Sequence, residues 1–294
     1  MTPTVILIVL LSTFMHAGWN LLSRYEGSVR DFYWKMLIVV VGVGLLPAVV
    51  SELTTRSITP VAWLCLLGSG TSSALYLFGL ARGYEMTDFT IVYPLVRALP
   101  VVLVAFADVL RGRHLTQIGW IGILIVSVGC LFVPLRSFSD FHLRNYFNHA
   151  SVWVVLAAMG SVGYTLLDKY AAEVVTQGAA TAARYGFFYF LLTLPPYYLF
   201  LKAFKPKGQA QGTQKASWKL AAVAGFLGFA AYWLILWAYQ LSPYASYIVA
   251  FRQFSIVIGV ILAFWIYKEE GVGVRLTGAA MITTGLILIA GWGR

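Results

Sequence analysis

The chain has 294 residues, of which 60% are hydrophobic and 11% are charged. Water-soluble domains carry roughly 45–50% apolar and about 25% charged residues, so this chain has too little polar surface to cover a soluble body. The same comparison disfavours a disordered chain, a secreted disulfide scaffold, a fibrous protein and a soluble nucleic-acid-binding protein. The formal net charge of +10 instead fits lysine and arginine collected in the loops of a polytopic membrane protein.

Ten apolar runs approach the length of about 20 residues that a helix needs to cross the hydrocarbon core. They predict helices over residues 4–22, 34–50, 61–81, 89–110, 118–135, 151–167, 185–201, 220–241, 244–267 and 276–292. We therefore expect an all-α polytopic membrane protein with ten transmembrane helices. The first run lacks a basic leading segment and contains His16 and Asn20, so it predicts a resident helix rather than a cleavable signal peptide.

The two halves of the chain share a weak repeated pattern, with an arginine and two glycines at related positions. The aligned pairs are Trp19 with Tyr164, Arg97 with Arg252, Gly122 with Gly278 and Gly129 with Gly285. Because each half holds an odd number of spans, the second half has to be inverted relative to the first, as in many secondary transporters. We expect two inverted five-helix repeats, residues 1–136 and 150–294, with a substrate site near the midplane where they meet.

The segment 16–20, His-Ala-Gly-Trp-Asn, resembles the H-A-x-W-N signature of bacterial drug/metabolite transporters of the EamA type. The ten spans, the duplication, and the Tyr-Pro-Leu-x-Arg and Arg-Gln stretches at 93–97 and 252–253 resemble that superfamily as well. The likeness covers nearly the whole chain. It implies a multi-pass protein of the bacterial inner membrane that exports or exchanges small metabolites, often amino acids or their relatives.

Two arginines lie well inside apolar runs. Arg97 and Arg252 are each about 4–6 Å from the midplane at 1.5 Å per residue, where a charge costs on the order of 2.5–3.5 kcal/mol. Each arginine has two possible roles. It either forms a structural ion pair or clamps the backbone, or it belongs to a substrate site. The sequence shows no Asp or Glu at their depth, and it places Asp108 in a solvated pair beside Arg111 near a helix end. Two uncompensated guanidinium groups favour an anionic or zwitterionic substrate.

Other polar and aromatic residues complete the predicted substrate site. His16 and Asn20 share one face of the first helix, and His16 is either a packed, hydrogen-bonded side chain or a proton-coupling group. Aromatic residues in the middle of a span need polar partners, which a cavity provides. The predicted substrate-binding residues are Arg97, Arg252, Tyr93, Gln253, His16, Asn20, Trp19, Tyr76, Tyr164, Tyr232 and Trp233.

The sequence thus predicts a secondary transporter that moves a small polar metabolite by alternating access. We expect a small-molecule substrate and the lipid bilayer as partners, with no nucleic acid, metal or cofactor. The sequence does not decide between a monomer and a homodimer. A lipid-carrier flippase is the alternative within the transporter class. A polytopic membrane enzyme is less favoured, because no D-x-x-D cluster is present and no histidine has an acid at catalytic spacing. A cation exporter would need a mid-span carboxylate, which the sequence does not indicate.

Overall fold

The structure, a computed structural model, describes residues 1–23, 28–86, 89–140, 149–204, 215–267 and 271–293. Within these ranges the chain forms eleven α-helices, one short 3-10 helix and no strand. The α-helices are α1 (Pro3–Ser23), α2 (Val29–Thr55), α3 (Pro60–Met86), α4 (Phe89–Leu110), α5 (Gln117–Phe132), α6 (His149–Val174), α7 (Ala179–Ala203), α8 (Trp218–Leu241), α9 (Ala245–Arg252), α10 (Phe254–Tyr267) and α11 (Val272–Trp292).

The helices match the predicted spans. Nine of the spans overlap one helix each, and the span predicted over 244–267 is divided into α9 and α10 by Gln253. Among the described residues, seven helical stretches are long and apolar enough to cross a membrane by length and composition. The structure therefore confirms an all-α polytopic architecture.

Consecutive spans cross the bundle in alternating directions, so the bundle has two ends. We call the end that holds the α1–α2 connection the first end, and the end that holds the α2–α3 connection the second end. The break between α9 and α10 lies between these ends, inside the bundle. An interruption of this kind within a helix often marks a functional hinge.

Helices from the two halves pack on each other in reciprocal pairs. The helix α1 packs on α8, and its counterpart α6 packs on α3. Counterpart helices also pack on each other directly, α2 on α7 and α5 on α11. Exchange of the two halves leaves this pattern unchanged, as expected for two repeats related by a two-fold axis.

The glycines aligned in the sequence form the closest contact between α5 and α11. A Cβ atom on Gly129 would lie 2.8 Å from the carbonyl oxygen of Gly278, and one on Gly285 would lie 2.6 Å from that of Gly122. Small residues at such positions let helix backbones approach closely in a membrane. Because the contacts run in opposite order along the two helices, α5 and α11 are antiparallel, which is the direction expected for inverted repeats.

This contact predicts different effects for two glycines of α11. Gly285→Ala should lower the melting temperature in detergent, because its methyl group meets the Gly122 carbonyl and overpacking costs about 1–3 kcal/mol. Gly291→Ala is the matched control, since a Cβ there meets nothing within 4 Å and alanine is the better helix former. Equal melting temperatures for the two variants would contradict the close packing of the repeats.

Candidate functional site

A central cavity lies between the two halves and extends from the middle of the bundle toward the first end. Its empty space is about 580 Å³, counting the part that is open to solvent. Both repeats contribute to its wall, which is mostly aromatic and apolar with a few polar groups, as is common for small-molecule sites. The lining residues are Ser12, His16, Trp19, Met36, Leu37, Ser73, Tyr76, Leu77, Tyr164, Tyr189, Phe190, Gly228, Ala231, Tyr232, Ile235 and Arg252.

Four tyrosines form one continuous cluster in this wall. The rings of Tyr76 and Tyr164 lie 5.8 Å apart in an edge-to-face arrangement, and Tyr164 makes similar contacts with Tyr189 and Tyr232. Tyr189 and Tyr232 are the closest pair, with ring centroids 4.4 Å apart. Tyr189 was not among the predicted substrate-binding residues. The sequence does contain an indication of this residue. Tyr189 lies four residues after Tyr185 in the same apolar run, and this spacing places both side chains on one helix face.

Arg252 brings positive charge to the cavity. It is partly buried, and its guanidinium carbon lies 5.8 Å from the centroid of the Tyr232 ring. Tyr164 and Tyr239 also lie within electrostatic range. The described lining contains no carboxylate, so the wall around Arg252 offers ring faces and hydroxyls rather than a negative charge.

Arg97 lies behind the wall and contacts the break between α9 and α10. Its guanidinium donates to the Ser255 hydroxyl over 2.7 Å and to the Arg252 carbonyl over 3.4 Å. The chain turns more tightly at the break, since the Gln253 amide bonds to the Ala250 carbonyl three residues earlier. Ser255 also donates to the Arg252 carbonyl. Arg97 therefore fixes the hinge that carries Arg252, which is the backbone-clamp interpretation of this residue.

His16 connects Arg97 to the cavity. Its Nδ1 accepts a hydrogen bond from the Trp19 indole over 3.1 Å, and its Nε2 lies 3.1 Å from the Arg97 Nη1. Two donor groups therefore face the ring, and a neutral imidazole, which carries one N–H, can accept from only one of them. Addition of a second proton to the ring would break the bond from Trp19 and bring two cations together. This arrangement fits the packed, hydrogen-bonded interpretation of His16.

Three of the remaining predicted site residues do not line the cavity. Asn20 donates to the His16 carbonyl within α1, and Gln253, at the break after α9, donates to the Val249 carbonyl. Trp233 donates to the Ala179 carbonyl over 2.7 Å and joins α8 to the start of α7. These three side chains support the helices around the cavity. The side chain of the last predicted residue, Tyr93, lies outside the described residues.

The structure corrects the expectation that no carboxylate lies deep in the bundle. Asp168 is fully buried in α6 and accepts hydrogen bonds from the hydroxyl of Tyr185, over 2.8 Å, and from that of Tyr232. The predicted sixth span ended at Leu167 after 17 residues, which is short for a membrane crossing. The helix continues to Val174, and this continuation places Asp168 inside the bundle.

The predicted solvated pair at Asp108 is also wrong. Asp108 is fully buried, and its carboxylate accepts from the backbone amide of Ser246 over 2.8 Å and from the Ser246 hydroxyl over 2.7 Å. Ser246 lies in the first turn of α9, where a carboxylate satisfies amides that lack a partner in the helix. Arg111 instead pairs with Glu173 of α6 over 2.7 Å.

An all-helical membrane bundle of two inverted repeats around a central cavity is the architecture of a membrane transporter. The model of the EamA-like transporter family matches residues 3–135 and again residues 149–291, and the chain belongs to this family of the drug/metabolite transporter superfamily. The fold is also that of a protein of known crystal structure, with a TM-score of 0.70 at 19% sequence identity over 100% of this chain and 99% of that chain. No curated protein matches the chain.

The two mid-span arginines should differ in their effect on stability. Arg97→Ala removes the donor to Ser255 and to the Arg252 carbonyl at the α9–α10 break, and buried groups left without a partner cost about 1–3 kcal/mol each. Its melting temperature in detergent should fall by several degrees. Arg252→Ala removes a side chain that faces the cavity, so its melting temperature should stay close to that of the unmodified protein. The reverse order of the two melting temperatures would contradict the clamp role of Arg97.

Proposed function

We propose that the protein is a secondary transporter that moves a small anionic or zwitterionic metabolite across the inner membrane of a bacterium by alternating access. The observation that carries the proposal is Arg252, which brings a fixed positive charge to a cavity wall in which the described residues include no carboxylate. A guanidinium in such a wall is stabilised by a carboxylate or phosphonate, which it binds through two parallel hydrogen bonds.

The other cavity residues divide into binding and supporting roles. The tyrosine cluster surrounds Arg252 with ring faces and hydroxyls that suit the apolar and polar parts of a small metabolite. His16 and Trp19 contribute the α1 side of the wall. Arg97 acts from behind the wall, because it holds the backbone from which Arg252 projects.

Contacts between the repeats at both ends support alternating access. At the first end Lys35 of α2 donates to the Ala216 carbonyl, next to α8, over 2.7 Å. At the second end Arg184 of α7 pairs with Glu52 of α2 over 3.2 Å. We propose that units 1–136 and 150–294 rock against each other, so that the contacts at one end break while those at the other end hold.

Transport in proteoliposomes tests the proposed function. The panel is succinate, L-alanine, methylphosphonate and the cation tetraphenylphosphonium, each measured as counterflow against an internal load of the same compound. We expect saturable counterflow of at least one of the first three and none of tetraphenylphosphonium. Counterflow of the cation alone would contradict an anion-binding cavity, and counterflow of none would contradict the proposed transport of small metabolites.

Substitution of Arg252 should reduce affinity for the transported anion. Arg252→Ala removes a charged hydrogen bond worth about 1.5–3 kcal/mol, which corresponds to a roughly ten- to hundred-fold higher half-saturation concentration. Arg252→Lys should recover little of this loss, because an ammonium group lacks the planar fork. The control is Lys202→Ala, a change at the end of α7 outside the lining residues. Unchanged half-saturation in both Arg252 variants would assign the arginine to the scaffold.

A further inference from the structure

A second, smaller cavity lies on the other side of Asp168 from the central one. It has about 180 Å³ of empty space, including the part open to solvent, and it lies between α6, α7 and α8 toward the second end. Its lining residues are Asp168, Ala172, Val175, Ala182, Tyr185, Leu236 and Gln240. The central cavity extends toward the first end, so the two cavities face opposite ends of the bundle with Asp168 between them.

The two oxygens of Asp168 accept hydrogen bonds from tyrosines that line different cavities. The Oδ1 atom accepts from Tyr185, which lines the second cavity, and the Oδ2 atom accepts from Tyr232, which lines the central cavity. Tyr232 in turn presents its ring to the Arg252 guanidinium. A single buried carboxylate is thus joined through one tyrosine to each cavity, and through Tyr232 to the charge proposed to bind substrate.

Among the titratable and charged groups near Asp168, Arg252 is the cation that acts electrostatically on its carboxylate. Groups within electrostatic range are Cys65 of α3, Tyr185 and Tyr189 of α7, Tyr232 and Tyr239 of α8, and Arg252 of α9. On α6 itself, Lys169 bonds to the carbonyls of Tyr239 and Ser242 and to Glu173. On α4, the described groups Arg97 and Asp108 bond to α10 and α9. Among the described ion pairs, none includes Asp168.

We propose that Asp168 is a proton-binding site that couples anion transport to proton movement. Hydronium in the second cavity gives its proton to the carboxylate and leaves water, and the acid formed is neutral. The hydroxyl of Tyr185, which donates to the ionised carboxylate, turns to accept from the protonated acid. The proposal rests on the proposed function, since the coupled substrate is the anion bound at Arg252.

The coupling follows from the charge balance across Tyr232. While Asp168 is ionised, its negative charge offsets that of Arg252 and weakens the attraction for an anion in the central cavity. When Asp168 is protonated, Arg252 keeps its full positive charge, and an anion binds more tightly. By linkage, the anion also favours protonation of Asp168, so that proton and anion cross the membrane together. His16 is a poor second candidate, because donors face both of its ring nitrogens.

Proton binding can be measured without any substrate by infrared difference spectroscopy of the purified protein during a pH titration. As the pH falls, the C=O stretching region of the unmodified protein should gain a component from the protonated Asp168 carboxyl group, and this component should be missing in Asp168→Asn, in which the other acidic side chains still titrate. Asp108→Asn is the matched control, because Asp108 is also fully buried but lines neither cavity, and asparagine caps helices as well as aspartate does. A C=O region that titrates identically in Asp168→Asn and in the unmodified protein would overturn the proposal.

Transport measurements distinguish a failure of the proposed proton coupling from a failure of the proposed function. In proteoliposomes, Asp168→Asn should keep counterflow of the panel anion that the unmodified protein moves best, while a pH gradient should no longer increase its accumulation. Accumulation that still follows the pH gradient in Asp168→Asn would overturn the proposal. An unmodified protein that moves no member of the panel would instead contradict the proposed function, and the infrared titration would still decide whether Asp168 binds a proton.

If Asp168→Asn does not fold, Tyr185→Phe replaces it in the infrared titration. This variant keeps the carboxyl group and removes one hydrogen-bond partner, so the C=O band should persist at a shifted frequency. Tyr244→Phe, a tyrosine whose hydroxyl bonds to the His114 carbonyl at the second end, should leave the band unchanged. A band insensitive to Tyr185→Phe would show that the titrating carboxyl is not Asp168.

Discussion

Every charge inside this bundle has to be solvated by the protein itself, and this requirement determines the arrangement around the cavity. Arg97 is satisfied by Ser255 and the carbonyl of a broken helix, and Asp168 by two tyrosine hydroxyls. Arg252 faces the ring of Tyr232, and the buried Asp168 carboxylate lies within electrostatic range on the other side of that tyrosine. Charge inside a membrane protein is costly and is retained where it has a function. The positive charge that Arg252 brings to a wall whose described residues include no carboxylate therefore favours an anion in the cavity.

The paired repeats explain why the cavity lies where it does. Glycines bring α5 and α11 into backbone contact on one side of the bundle, while the bulky tyrosines of α3, α6, α7 and α8 surround open space in the middle. The α9–α10 break gives Arg252 a position on an interrupted helix, and transporters of several folds place substrates at such interruptions. Packing and binding thus use different residues of the same two-fold arrangement.

Much of the fold could be predicted from the sequence, because apolar runs of membrane length leave few alternatives to a helix. The family resemblance was likewise visible in the residues around His16, and the family match confirms it. The site was harder to predict. Arg97 and Arg252 are equivalent by depth and alignment, and only their tertiary contacts separate a clamp from a cavity residue. Asp168 was missed because a span of 17 residues ended one position too early.

The central claim is that the Arg252 guanidinium binds the transported anion. Solid-state NMR can measure the dipolar coupling between ¹⁵N-labelled arginine side chains and the ³¹P nucleus of bound methylphosphonate in lipid bilayers. We predict a coupling of direct-contact strength in the unmodified protein that is absent in Arg252→Lys. A coupling that survives in Arg252→Lys, or bound methylphosphonate that shows no coupling to any arginine in the unmodified protein, would contradict the claim.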